Sequence, residues 1–145
     1  MRKALVVGIN DYPKNPLTGC INDAVSLASL LERHSDGSPN FGVRRILSSS
    51  TAITRSSLKA EIQDLYSGNP DVALLYFSGH GYLGPYGGYL VTPDHARYDE
   101  GVSMDDVLGA ANHSAAKNRL VILDCCHAGS MGSPTLAEGK FSELA

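Results

Sequence analysis

Leu120-Val121-Ile122-Leu123-Asp124-Cys125-Cys126-His127-Ala128-Gly129 is an apolar run that ends abruptly in a carboxylate, two thiols and an imidazole. So short an apolar run, bounded by polar and small residues, has the length of a strand buried on both faces. A second stretch repeats the design, with Val72-Ala73-Leu74-Leu75-Tyr76-Phe77 leading into Ser78-Gly79-His80-Gly81. One strand that stops at a cysteine and one that stops at a histidine can bring thiol and imidazole to the same edge of a sheet. That pairing suits nucleophilic catalysis: imidazole takes the thiol proton, and the thiolate attacks a carbonyl carbon.

Working outward, residues 3–8 are apolar throughout and read as another doubly buried strand, broken by Asn10-Asp11-Tyr12-Pro13. Residues 22–33 carry helical spacing at Ile21, Ala24, Ala28 and Leu31, with Asn22 as the expected cap. A short strand is expected over 43–47, and Thr54 is placed to cap a helix whose inner face is Leu58, Ile62 and Leu65. Gly-rich residues 79–88 follow the second apolar run, with 88–92 as a small hairpin arm. Ser103-Met104-Asp105-Asp106 has the form of a capping box opening a helix through about Asn112. The order β-α-β-α-β-α-β predicts an α/β fold: a mostly parallel sheet with right-handed crossovers and helices on both faces. Ligands of such sheets gather at the carboxyl ends of the strands, where His80 and Cys126 both fall. Residues 130–145, with their Gly, Ser and Pro, read as a flexible tail or linker to a single domain.

Composition removes several classes of function. With 43% apolar and 19% charged residues in 145, the chain can bury a core and is not disordered. A net charge of −3 and no basic block argue against nucleic-acid binding. The apolar N-terminal run is too short for a signal-peptide core or a membrane span. Three cysteines, two of them adjacent, do not form a disulfide framework, and a cytoplasmic, reducing setting is expected. Adjacent cysteines point apart and no CxxC spacing exists, which disfavours structural zinc. His34, His95 and His113 lie in polar surroundings and are expected in solvent.

A lone cysteine is ordinarily a small buried hydrophobe, and a lone histidine is ordinarily a satisfied core residue. Position argues otherwise for Cys126 and His80, since each ends a strand among small neighbours. Side chains two apart on a strand share a face, so Ser78 aligns with His80 and Asp124 with Cys126, while Cys125 and His127 face away. Asp23 alone would pass for first-turn helix chemistry. A carboxylate at 124, on an apolar strand, needs a cation or donors to offset its desolvation.

The motifs Val6-Val7-Gly8-Ile9-Asn10, Gly19-Cys20-Ile21-Asn22-Asp23-Ala24, Tyr76-Phe77-Ser78-Gly79-His80-Gly81 and Asp124-Cys125-Cys126-His127-Ala128-Gly129 together resemble a caspase-fold peptidase of the metacaspase and prokaryotic caspase-homologue (orthocaspase) type. The His80-to-Cys126 separation is close to the roughly 50 residues of the caspase signature. The resemblance implies a cysteine endopeptidase with a Cys-His dyad, Cys126 as nucleophile and His80 as base and later proton donor. It implies an oxyanion hole from the N–H groups of Gly81 and Cys126. It also implies a pocket for Arg or Lys before the scissile bond, formed by Asp23 and Asp124 and lined by Cys20 and Ser78. Animal caspases use a basic pocket to accept Asp, and no Arg flanks His80 or Cys126 to build one.

The chain departs from that pattern in two places. Calcium-dependent metacaspases carry four acidic ligands; here an acidic pair remains at Asp105-Asp106, but Gly87 and Ser133 occupy the other two positions. Hard divalent ions want several oxygen ligands, so no cofactor is expected and calcium activation is disfavoured. The resemblance also implies a longer complete fold, of which these residues are expected to be the large-subunit portion. The strand bearing Cys126 would be a bare apolar edge, so a small-subunit chain or a second copy is the expected partner beside peptide substrates. Two rivals remain: a catalytically silent caspase-fold interaction module, and another thiol enzyme on a flavodoxin-like sheet. The latter is disfavoured because no phosphate-cradling glycine loop follows the first strand.

Overall fold

A computed structural model describes residues 1–125. Ten elements follow one another: β1 (Arg2–Gly8), α1 (Cys20–Glu32), β2 (Gly42–Leu47), α2 (Arg55–Leu65), β3 (Val72–Gly79), β4 (Gly81–Gly84), β5 (Gly87–Ala96), β6 (Asp99–Ser103), α3 (Met104–His113) and β7 (Asn118–Cys125). The main sheet runs β2-β1-β3-β7 with every pair parallel. Its register sets Gly8 beside Ser78, Ser78 beside Asp124, and Gly79 beside Cys125. The carboxyl ends of β1, β3 and β7 therefore lie in one row.

Alternation along β1 explains the layers. Ala4 and Val6 point with Leu74 and Tyr76 into a core closed by Ala24 and Ala28 of α1. Leu5 and Val7 point with Leu75 and Phe77 into a larger core, closed by Leu58 and Ile62 of α2 and Val107 of α3. Burying each large side chain contributes about 1.5–3 kcal/mol, and a strand covered on both faces has no polar side to alternate with.

α1 sits unusually close to β1. A Cβ on Gly8 would lie 2.8 Å from the Ala24 Cβ and 2.9 Å from the Cys20 carbonyl oxygen. α2 starts as expected: Thr54 accepts from the Ser57 N–H, and Ser57 returns the bond in a reciprocal box. At α3, Ser103 accepts from the Asp106 N–H, but the Asp106 carboxylate instead meets Lys59 at 3.0 Å.

Two local expectations are corrected. α1 begins at Cys20, with Gly19 at its N-cap and no side-chain bond there, so Asn22 is not the cap. The cap comes from β1's end: Asn10 Oδ1 accepts from the Cys20 and Ile21 N–H groups at 3.0 and 3.3 Å. Residues 88–92 are also more than a hairpin arm. They belong to β5, the centre of an antiparallel three-stranded sheet, β4-β5-β6, with an irregularity between Val91 and Ala96. Arg55 fastens this sheet to α2 through its N–H to Asp94 and its guanidinium to the Asp94 and Asp99 carbonyls. No helix among the described residues is long and apolar enough to cross a membrane.

Candidate active site

His80 follows directly on β3 and is half-buried. Its Nε2 lies 2.7 Å from the carbonyl oxygen of Asn15. A carbonyl only accepts, so Nε2 carries the proton; in the neutral ring Nδ1 then holds the lone pair. Asn15 adopts φ 55°, a left-handed conformation that asparagine tolerates better than most residues. The loop between β1 and α1 thus presents a backbone oxygen to the imidazole, and the Tyr12 ring lies beside it with centroids 4.5 Å apart.

The next residue, Gly81, opens β4. The His80 carbonyl accepts from the Val91 N–H at 3.0 Å, and no cis peptide occurs among the described residues. In a trans peptide the carbonyl and the following N–H point in opposite directions. The Gly81 N–H is therefore aimed away from β5.

A second group of side chains gathers at the same row of strand ends. Asp124 Oδ2 accepts from the Tyr76 hydroxyl at 2.8 Å. The Tyr76 phenol is pushed well above the ordinary tyrosine range, first by burial, then by the hydrogen bond and charge of Asp124, with the charge of Asp23 adding to it. A hydrogen bond with Ser78 acts in the opposite sense. Tyr76 and Ser78 are buried, as is Cys20 at the start of α1, whereas Asp23 and Asp124 are exposed. Asp124 and Ser78 thus hydrogen-bond one protonated phenol, and the charge of Asp23 acts on it as well. Cys20 abuts the same place through Gly8, which pairs with Ser78. The desolvation argument made for Asp124 is corrected, because the residue faces solvent and has a donor.

Sequence patterning alone missed three members of this constellation. Tyr76 passed for a core strand residue; its place two residues before Ser78, on one face, was the available signal. Tyr12 and Asn15 lie in a segment that patterning marked only as a break, and nothing local announces a contact with a residue so distant in the chain. Cys125 is buried in the larger core. Cys126 and His127, and with them the nucleophile and one expected oxyanion donor, lie outside the described residues, as do Ser133 and the 130–145 tail. His34, His95 and His113 are exposed. No group of three or more His, Cys, Asp or Glu suited to a metal occurs among the described residues.

The parallel sheet with an antiparallel annex, and an imidazole and carboxylates at its carboxyl edge, place the molecule among caspase-like α/β proteins. The model of the caspase domain family matches residues 1–143, and the chain belongs to that family of cysteine peptidases. Among solved structures it is similar to protein GSU0716 from Geobacter sulfurreducens, with a TM-score of 0.64 at 24% identity over 87% of this chain and 51% of that one. That likeness shows the fold, and the chain spans about half the length of that structure. A search among curated proteins found no match.

Proposed function

We propose that the protein is a cysteine endopeptidase that cleaves after Arg or Lys, with Cys126 as nucleophile and His80 as base. The observation that carries this is the hydrogen bond of Tyr76 to Asp124, with the charge of Asp23 acting on the same phenol, beside Ser78, which lies two residues before an oriented imidazole. A guanidinium or ammonium entering there meets two exposed carboxylates and a phenolic oxygen. An acidic side chain would meet like charge.

In the proposed cycle, His80 Nδ1 takes the Cys126 thiol proton and the thiolate adds to the backbone carbonyl carbon of the Arg or Lys residue. The oxyanion accepts hydrogen bonds from the N–H groups of Gly81 and Cys126; such donors are typically worth about 2.7–4 kcal/mol each. As the C–N bond breaks, the imidazolium gives its proton to the leaving amine, leaving a thioester on Cys126. His80 then takes a proton from water, hydroxide adds to the thioester, and the acid product leaves as the thiol is re-formed. The Asn15 carbonyl keeps Nε2 protonated, so the same nitrogen, Nδ1, serves each transfer.

A partner completes the proposal. Leu120 and Ile122 of the edge strand β7 remain 46% and 42% exposed, on the strand face opposite Val121 and Cys125. A small-subunit chain or a second copy pairing with β7 would cover them and protect the edge. The same surface would serve a catalytically silent interaction module in the cytoplasm, so activity must decide. Paired Arg, Lys and Asp fluorogenic peptides, with and without calcium, separate the cases on wild type and Cys126→Ala. Hydrolysis of the Arg and Lys peptides by wild type alone, independent of calcium, is the expected result. Hydrolysis of the Asp peptide alone, or activity that survives Cys126→Ala, contradicts the proposal.

A further inference from the structure

We propose that Tyr12 is a positioning residue for His80 and Gly81, acting through a hydroxyl spliced into the backbone pairing of His80 with Val91. This rests on the proposed peptidase role of His80. In an undisturbed antiparallel pair, two residues facing each other in the bonded register exchange both N–H···O bonds. Here only one is direct, from the Val91 N–H to the His80 carbonyl at 3.0 Å. The other runs through a side chain: the His80 N–H donates to the Tyr12 hydroxyl at 2.9 Å, and that hydroxyl donates to the Val91 carbonyl at 2.9 Å. A phenol is one of the few groups able to accept and donate in sequence at such a gap.

The chain is built around this insertion. Tyr12 is only 4% exposed, and its N–H is held by the Asn10 carbonyl at 3.0 Å. Gly79 leaves the hydroxyl room: a Cβ there would stand 2.6 Å from the Tyr12 oxygen. The Tyr12 ring lies 4.5 Å from the imidazole centroid and 6.5 Å from that of His95 on β5, so one side chain governs the backbone and the ring position of His80. The splice falls at the residue that supplies the proposed base. The peptide after it supplies the proposed oxyanion donor, the Gly81 N–H. Closing or flooding the gap would turn both groups together, whereas a core tyrosine with a purely packing role would move neither.

The test compares wild type with Tyr12→Phe and Gly79→Ala; the first removes the hydroxyl and the second evicts it. Steady-state hydrolysis of an Arg peptide, the pH dependence of iodoacetamide alkylation and thermal stability are measured on each, with His80→Ala and Cys126→Ala as controls. A misplacement of order 1 Å predicts a loss of about tenfold to hundredfold in kcat with KM unchanged. It also predicts that alkylation at acid pH, the mark of a thiolate beside an imidazolium, retreats toward the ordinary thiol range. A Tyr12→Phe protein that melts earlier but keeps the wild-type kcat and alkylation profile overturns the proposal and leaves Tyr12 a structural residue. A wild type that neither hydrolyses the peptide nor alkylates at acid pH overturns the peptidase assignment instead. Amide exchange of wild type gives the geometric half of the answer whether or not the variants fold. The His80 N–H is expected to be protected, and exchange at the rate of an unstructured peptide overturns the splice.

Discussion

Asp124→Asn removes a charge from the proposed pocket and little else. The amide oxygen still accepts from the Tyr76 hydroxyl, so the bond at 2.8 Å has a partner in the variant. Two unit charges at about 4 Å interact by about 4 kcal/mol at the effective dielectric of a protein surface, an upper figure here because Asp124 is exposed and salt screens it. Hydrogen bonds to charged groups contribute about 1.5–3 kcal/mol net, which converts to a loss of about 10- to 150-fold in kcat/KM for an Arg peptide. Asp23→Asn, at the first turn of α1, should fall toward the lower end of that range. The two changes share one cation, so the double variant should show coupling and not simple addition. The assay is kcat/KM for peptides differing only in Arg, Lys or Leu at the scissile residue, at low and moderate ionic strength. The Arg and Lys peptides should lose most, the Leu peptide little, and added salt should narrow the difference. A double variant that keeps the wild-type preference for Arg over Leu refutes the assignment of these carboxylates.

The fold makes further predictions. Gly8→Ala must push α1 off β1, because its Cβ would overlap Ala24 and the Cys20 carbonyl; overpacking of this kind costs about 1–3 kcal/mol, read as a drop in Tm. As α1 carries Asp23, the KM for Arg peptides should rise in the same variant. Thr54→Ala removes the acceptor of the Ser57 N–H at the start of α2 and should cost about 1 kcal/mol in denaturant unfolding, without touching peptide specificity. Burial raises the phenol of Tyr66, whose hydroxyl donates to the Leu120 carbonyl at 3.0 Å. The unfolded chain then loses its proton first as pH rises past the ordinary tyrosine value near 10. The stabilisation is complete below that pH and is lost above it, by at most about 1.4 kcal/mol per pH unit. Tyr66→Phe should flatten this alkaline decline in urea unfolding measured across pH, and an unchanged slope would contradict it.

The architecture was legible because its decisive strands are apolar throughout: β1 and β3 are buried on both faces, and the edge strand β7 keeps an apolar face in solvent. β1, β3 and β7 appear as short unbroken apolar runs, and Thr54 and Ser103 mark two helix starts by local chemistry. Legibility failed where a partner lies far along the chain. Asn10 caps α1 from ten positions upstream, so the helix start moved to Cys20 although Asn22 had the better local credentials. β6 escaped notice because Asp99–Ser103 is short and acidic, and it is held by β5 and Arg55 more than by its own propensity. Of the site, His80, Asp23 and Asp124 could be named from spacing and motif. Tyr76, Tyr12 and Asn15 emerge only when separate strands and loops are assembled, since a phenol inside an apolar run looks like core until its hydroxyl has an address.

The most direct measurement is mass spectrometry of the protein after treatment with an arginyl acyloxymethyl ketone. A single adduct on Cys126, absent in His80→Ala and suppressed in the Asp23→Asn/Asp124→Asn variant, is the predicted result. No adduct on the wild type, or one carried by Cys20 or Cys125, would contradict the assignment of nucleophile, base and pocket to this end of the sheet.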